Sequence, residues 1–172
     1  MLFVLAALPS VATAENLLVA RIWDRSPVIV YDLPQADGRA DAIRYVESVR
    51  DRYQKDAKIL DGGANHAALK ERLKKGFILY TTLDEKSALL RLATRKLGWT
   101  VAGGSFQWRD LTAPTGDLRF IAAGKNPYSN GYCVIYAAGS NRALVGINDV
   151  RQGASSYHVY QGSRLLKEGM YD

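Results

Sequence analysis

With 172 residues, 48% of them apolar and 23% charged, the chain is long enough to bury one sizeable core, and disordered and collagen-like classes are excluded. The formal charge is +6 and the pI about 9.5. A single cysteine rules out an intramolecular disulfide framework and any zinc or iron–sulfur site built on cysteines.

Residues 1–14 carry no charge. An apolar run from Leu2 to Leu8 gives way to small residues, with Ala12 and Ala14 placed as signal peptidase reads them ahead of Glu15. That pattern predicts a signal peptide cleaved before Glu15 and a periplasmic or secreted protein. No basic residue precedes Arg21, which fits a truncated leader; a core strand or helix of a fragment is the alternative. Nothing later is apolar for the roughly 18 residues that a spanning helix needs, so no transmembrane span is expected in the mature chain.

Residues 27–32 form a short continuous apolar run, as a strand covered on both faces requires. A polar turn leads into a helix over residues 39–55. There Ala42, Ile43, Val46, Val49 and Tyr53 recur at helical spacing, while Arg44, Glu47, Asp51 and Arg52 take the outer face. Residues 58–60 read as a brief strand, and residues 65–75 as a second helix with Leu69 and Leu73 one turn apart. Residues 77–83 repeat the buried-strand pattern, after which Asp84 caps a helix over residues 87–97 that Gly98 stops. This alternation predicts a parallel, helix-covered sheet.

After Gly103 and Gly104 the pattern changes. Residues 105–110 alternate apolar and polar, and residues 118–123 and 132–138 are strand runs joined by a turn at 126–131. Asn141 caps a last helix through Leu144, Ile147 and Val150 that Gly153 ends, and residues 157–166 read as a terminal hairpin. The expected fold is a single three-layer α/β domain over residues 15–172. It has a mostly parallel central sheet, helices on both faces, and antiparallel or hairpin strands in the C-terminal half.

The standard catalytic signatures are missing. Neither G-x-G-x-x-G nor G-x-x-x-x-G-K-[ST] occurs, nor G-x-S-x-G, nor H-E-x-x-H, so no cofactor or metal is expected. His66, at a helix start, reads as solvated surface, with a catalytic base as the alternative; His158 reads as sheet packing and Cys133 as inert strand core. In open α/β sheets ligands bind beyond the carboxyl ends of the strands. Those ends here carry Asp32, Thr81, Thr82, Ser140 and Asn141, which makes Asp32, Thr81, Thr82 and Asn141 the candidate ligand-binding set and His66 with Ser140 the candidate catalytic pair. Thr82, Asp84 and Asn141 also suit helix capping, which is the preferred reading.

Basic side chains concentrate at Lys70, Arg72, Lys74 and Lys75 on the second helix, a patch suited to an anionic wall or lipid surface. Nucleic acid is disfavoured, because no reader motif accompanies the patch.

Asn126-Pro127-Tyr128-Ser129-Asn130-Gly131 and the strand that follows it to Gly139, together with residues 146–160, resemble a non-catalytic α/β module found in secreted bacterial hydrolase-like and uncharacterised proteins. That module carries an NPxNPxRxVVVYxAG strand entry and a later HGPTDYVV strand. Here Ser129-Asn130 stands in place of its second Asn-Pro, and residues 152–156 in place of its His-Gly-Pro-Thr-Asp. The resemblance implies no catalytic residue.

The sequence thus points first to an exported accessory or binding domain acting on or beside an envelope partner. The alternatives are a small secreted hydrolase, esterase- or peptidase-like, with a pocket at the strand ends, and a free-standing subunit of a larger complex.

Overall fold

The computed structural model describes residues 19–23, 28–63, 66–83, 87–95 and 97–171. The leader-like residues 1–14 and the expected cap Asp84 lie outside them. In chain order the elements are α1 (Val19–Trp23), β1 (Val28–Asp32), α2 (Arg39–Tyr53), β2 (Lys58–Asp61), α3 (His66–Leu73), β3 (Phe77–Thr82) and α4 (Ala88–Thr94). They continue with β4 (Thr100–Ala102), β5 (Ser105–Trp108), β6 (Leu111–Pro114), β7 (Leu118–Lys125), β8 (Tyr132–Ala138) and α5 (Asn141–Leu144). A 3-10 turn (Ile147–Asp149), β9 (Tyr157–Gln161) and β10 (Arg164–Gly169) follow.

Seven strands form one sheet in the order β10-β9-β7-β8-β3-β1-β2, and β4-β5-β6 form a second, antiparallel sheet. β2, β1, β3 and β8 run parallel, whereas β8, β7, β9 and β10 pair antiparallel. This overturns the expected three-layer α/β domain with a mostly parallel sheet: the large sheet is mixed, and strand outweighs helix. The reason lies in the connections. A parallel return needs a crossover of about a dozen residues, whereas residues 126–131 turn tightly between β7 and β8 and force an antiparallel pair. Residues 100–114, with a two-residue turn at Gly103-Gly104 and alternating burial along β5, fold into the separate small antiparallel sheet.

Both faces of the large sheet are buried over its central strands. On one, Ile29, Ile78, Tyr80, Val134 and Tyr136 pack with Val46 of α2 and Leu144 of α5. On the other, Val30, Leu79, Ile135 and Phe120 meet two different covers: Leu73 of α3 and Leu90 of α4, and then Phe106 and Trp108 of the small sheet. Trp108 stands edge-on to Phe120 at 5.4 Å and to Tyr157 at 4.5 Å, a geometry worth about 1 kcal/mol per pair beyond area burial.

The last expected helix is broken in two. Val145 is extended and Gly146 takes a left-handed φ of 79°, so α5 ends after one turn and the chain restarts as the 3-10 turn. Tyrosines of the α2 face pin this segment: Tyr80 and Tyr45 donate to Asn148 Oδ1 at 2.9 and 3.1 Å, and Tyr136 donates to Gln152 Oε1 at 3.1 Å. Burial pushes all three phenols above their ordinary value, Tyr45 up to about 12. They therefore remain donors at any physiological pH.

Cys133 is buried among apolar strand residues, and burial pushes its thiol up to about 12, leaving it an inert packing group. At the outer edge, β10 is interrupted by a register shift between Leu165 and Lys167.

His158 is fully buried in β9. Its Nε2 accepts from the Gly153 amide at 3.0 Å, while Nδ1 has no partner among the described residues. Desolvation lowers its pKa from 6.5, against an opposing pull from Glu168, whose Oε2 lies 3.5 Å away. The folded state thus binds the His158 proton less readily than the unfolded chain. Its contribution to stability is complete above about pH 6.5 and declines as pH falls below that value. Thermal melts should therefore show a loss of stability between pH 7 and 5.5 that is smaller in His158→Gln.

Candidate functional site

The parallel strands β1, β3 and β8 end at one side of the sheet, and a cleft of about 890 Å³ opens there. Its walls are the loop after β1, the segments after β3 and β8, and the tip of the β4–β5 hairpin around Gly103. Gly103 and Gly104 have φ of 57° and 74°, the left-handed pair that a two-residue hairpin turn demands. The tip is fastened where Thr115 donates its amide and its hydroxyl to the Gly104 carbonyl, at 2.9 and 3.0 Å.

Strand alternation divides the expected ligand set between the two faces of the sheet. Thr82 lines the cleft, together with Ser140 and Asn141. Thr81 and Asp32 point the other way and serve the fold. The Thr81 hydroxyl donates to the Asp32 carbonyl at 2.7 Å, and the Asp32 carboxylate accepts from the Ser87 hydroxyl at 2.6 Å. Ser87 in turn accepts from the Leu90 amide at 3.2 Å and is the N-cap of α4. Gly62 leaves room for this arrangement, since a Cβ there would lie 2.9 Å from that of Asp32.

Ser140, extended at φ −156°, accepts from the Ala143 amide at 3.1 Å, so it and not Asn141 is the N-cap of α5. Asn141 works across the cleft instead. Its Nδ2 points at three carbonyls of the loop after β1, those of Pro34, Ala36 and Asp37, each at 3.3 Å. The loop is clamped again at the lip, where Arg142 and Asp37 form an exposed ion pair at 2.5 Å, worth at most about 1 kcal/mol.

Two polar atoms are left over. Asn141 Oδ1 and Thr82 Oγ1 are buried and have no hydrogen-bond partner among the described residues, though Asn141 is only 2% and Thr82 4% exposed. An unmet buried polar atom costs on the order of 1–3 kcal/mol, and both belong to residues lining the same cleft.

His66 is the first residue of α3, and its side chain lies outside what the structure describes. The basic patch is exposed along and just beyond α3, with Lys74 paired to Glu71 at 2.7 Å and Lys70, Arg72 and Lys75 around it. Neither the patch nor His158 lines the cleft. The part of the site that sequence reasoning missed is the wall at residues 101–103. The Gly103-Gly104 pair was its signal, readable as a hairpin turn although not as a cleft wall. No family model matches the chain, and no curated protein matches it.

The cleft's geometry hangs on Gly139. A Cβ there would fall 1.5 Å from the Thr115 carbonyl oxygen, because the end of β8 runs directly against the loop after β6. Gly139→Ala should cost more than about 3 kcal/mol, beyond ordinary overpacking, in chemical denaturation. Any folded fraction should show faster amide exchange over residues 100–116.

Proposed function

We propose that the chain is an exported, non-catalytic binding domain of the bacterial envelope, and that the cleft beyond β1, β3 and β8 receives a ligand group rich in hydrogen-bond donors, such as a hydroxyl or an amide. The observation that carries this reading is the pair of buried, unpartnered oxygens, Thr82 Oγ1 and Asn141 Oδ1, on residues of one cleft. Buried polar atoms in folded proteins nearly always have partners, and a donor supplied by a ligand would satisfy the acceptor on Asn141.

Further support comes from what the cleft's polar groups already do. The Ser140 oxygen is engaged at the start of α5, and the Asp37 carboxylate is neutralised by Arg142. No imidazole stands among the described lining residues, whereas nucleophilic catalysis by Ser140 would need a base within hydrogen-bond reach. The leader-like residues 1–14 and the resemblance of residues 126–139 and 146–160 to a non-catalytic secreted module support the exported role.

A titration followed by amide NMR tests the reading, with N,N′-diacetylchitobiose as probe because each of its units offers both hydroxyl and amide donors. The expected result is a saturable shift of Leu83, Gly103 and Asn141. Thr82→Val should weaken binding at least tenfold while leaving stability unchanged or raising it by ~1 kcal/mol, since it removes an unmet hydroxyl at constant shape. Hydrolysis of p-nitrophenyl acetate that disappears in Ser140→Ala would overturn the proposal in favour of a hydrolase.

A further inference from the structure

At the opposite end of the sheet, where β7 runs out and β8 begins, lies a second depression of about 850 Å³, within the roughly 300–1,000 Å³ of small-molecule sites. Its surface is of two kinds. The floor is apolar and includes Leu92, Leu97, Tyr132 and Tyr171. Leu92 is 44% exposed, although its neighbours Leu89 and Leu90 are wholly buried. The rim is cationic: Arg95 and Lys125 are exposed there, and neither forms an ion pair among the described residues. Arg109 stands at the same rim with its guanidinium 5.3 Å from the Trp108 ring centre and 5.6 Å from that of Tyr157. No carboxylate occurs among the described lining residues.

The rim is built in advance. Asn126 donates from Nδ2 to the Leu73 carbonyl at 2.6 Å and accepts from the Tyr128 amide at 2.9 Å, and Ser129 Oγ accepts from the Gly131 amide at 3.1 Å. The 126–131 turn is thus fixed to α3 and within itself. On the floor, the Tyr171 hydroxyl is buried without a partner among the described residues. Burial raises its pKa, so it keeps its proton and can donate.

The geometry points to a binding site for an anionic amphiphile, its carboxylate or phosphate head held by Arg95 and Lys125 and its single acyl chain laid along Leu92, Leu97 and Tyr132. An extended polyanion fits less well, because it would need cations repeated along a track, whereas here they stand at the edge of an apolar floor. The inference is independent of the cleft at the other end of the sheet.

Calorimetric titration of the full chain tests it with three probes, each below its critical micelle concentration: dodecanoate, a lysophosphatidylglycerol and neutral dodecyl maltoside. The first two separate a carboxylate from a phosphate source. Saturable binding of either, at least tenfold tighter than the maltoside, is expected. Combining Arg95→Glu with Lys125→Glu should abolish that preference without moving the melting temperature by more than a few degrees, since both side chains are exposed. If the doubly reversed protein does not fold, Arg95→Gln with Lys125→Gln replaces it, and a fivefold loss is expected. The inference is overturned if the neutral amphiphile binds equally well or if no amphiphile binds. It is also overturned if affinity survives the rim variants and is lost instead on charge reversal at Lys70 and Lys75.

Discussion

Everything in this molecule is arranged around β8, the strand at which the large sheet changes direction. One of its edges pairs in parallel with β3 and the other antiparallel with β7, and it is buried from Cys133 to Ala138. A strand in that position must be apolar on both faces and must have a connection short enough to bring β7 back beside it. The 126–131 turn satisfies the second condition. Asn126 spends its side-chain amide on the Leu73 carbonyl and its oxygen on the Tyr128 amide, so the reversal is tied to α3. Because β8 is fixed at both edges, its two ends are fixed as well. One end carries Gly139 and the carboxyl-end cleft, and the other opens into the amphipathic depression.

The small sheet connects these two ends. Its Gly103 turn walls the cleft, and its opposite turn, at Arg109, stands over the depression. Between the turns Phe106 and Trp108 bury themselves against Phe120. One element therefore contributes to both concavities while its middle is held by aromatic packing, which makes it the natural place for disturbance at one end to be felt at the other.

Much of the local structure was legible in the sequence, because buried strands and amphipathic helices announce themselves by residue type and period. β1, α2, β3 and β8 lie within a few residues of where the patterns put them. Pairing direction was legible only in part: the short turn at 126–131 points to antiparallel strands in the C-terminal half, but no residue pattern shows that they join β2, β1, β3 and β8 in one sheet and make it mixed. β4 and β6 were missed because Thr100–Ala102 runs straight into Gly103-Gly104 and Leu111–Pro114 ends in a proline, so both segments read as turn. For the site, the strand-end rule found Thr82, Ser140 and Asn141 but could not see that Thr81 and Asp32 face away. That separation follows from alternation once the face of one strand is known. The cap of α5 was assigned one residue late, since serine and asparagine are equally able caps, and the choice was made by Asn141 reaching the loop after β1.

The outer margins of the large sheet have a consequence of their own. β10 carries the register shift between Leu165 and Lys167 and bears Arg164, Lys167 and Glu168, while β2, four residues long, begins at the exposed Lys58 and ends at Asp61. Interrupted, short and charged strands are poor templates for a further strand. Growth of the sheet by addition of an outside chain, whether a partner's strand or another copy in a fibril, is thereby discouraged at both margins, and a concentrated solution of the protein gains protection against ordered aggregation.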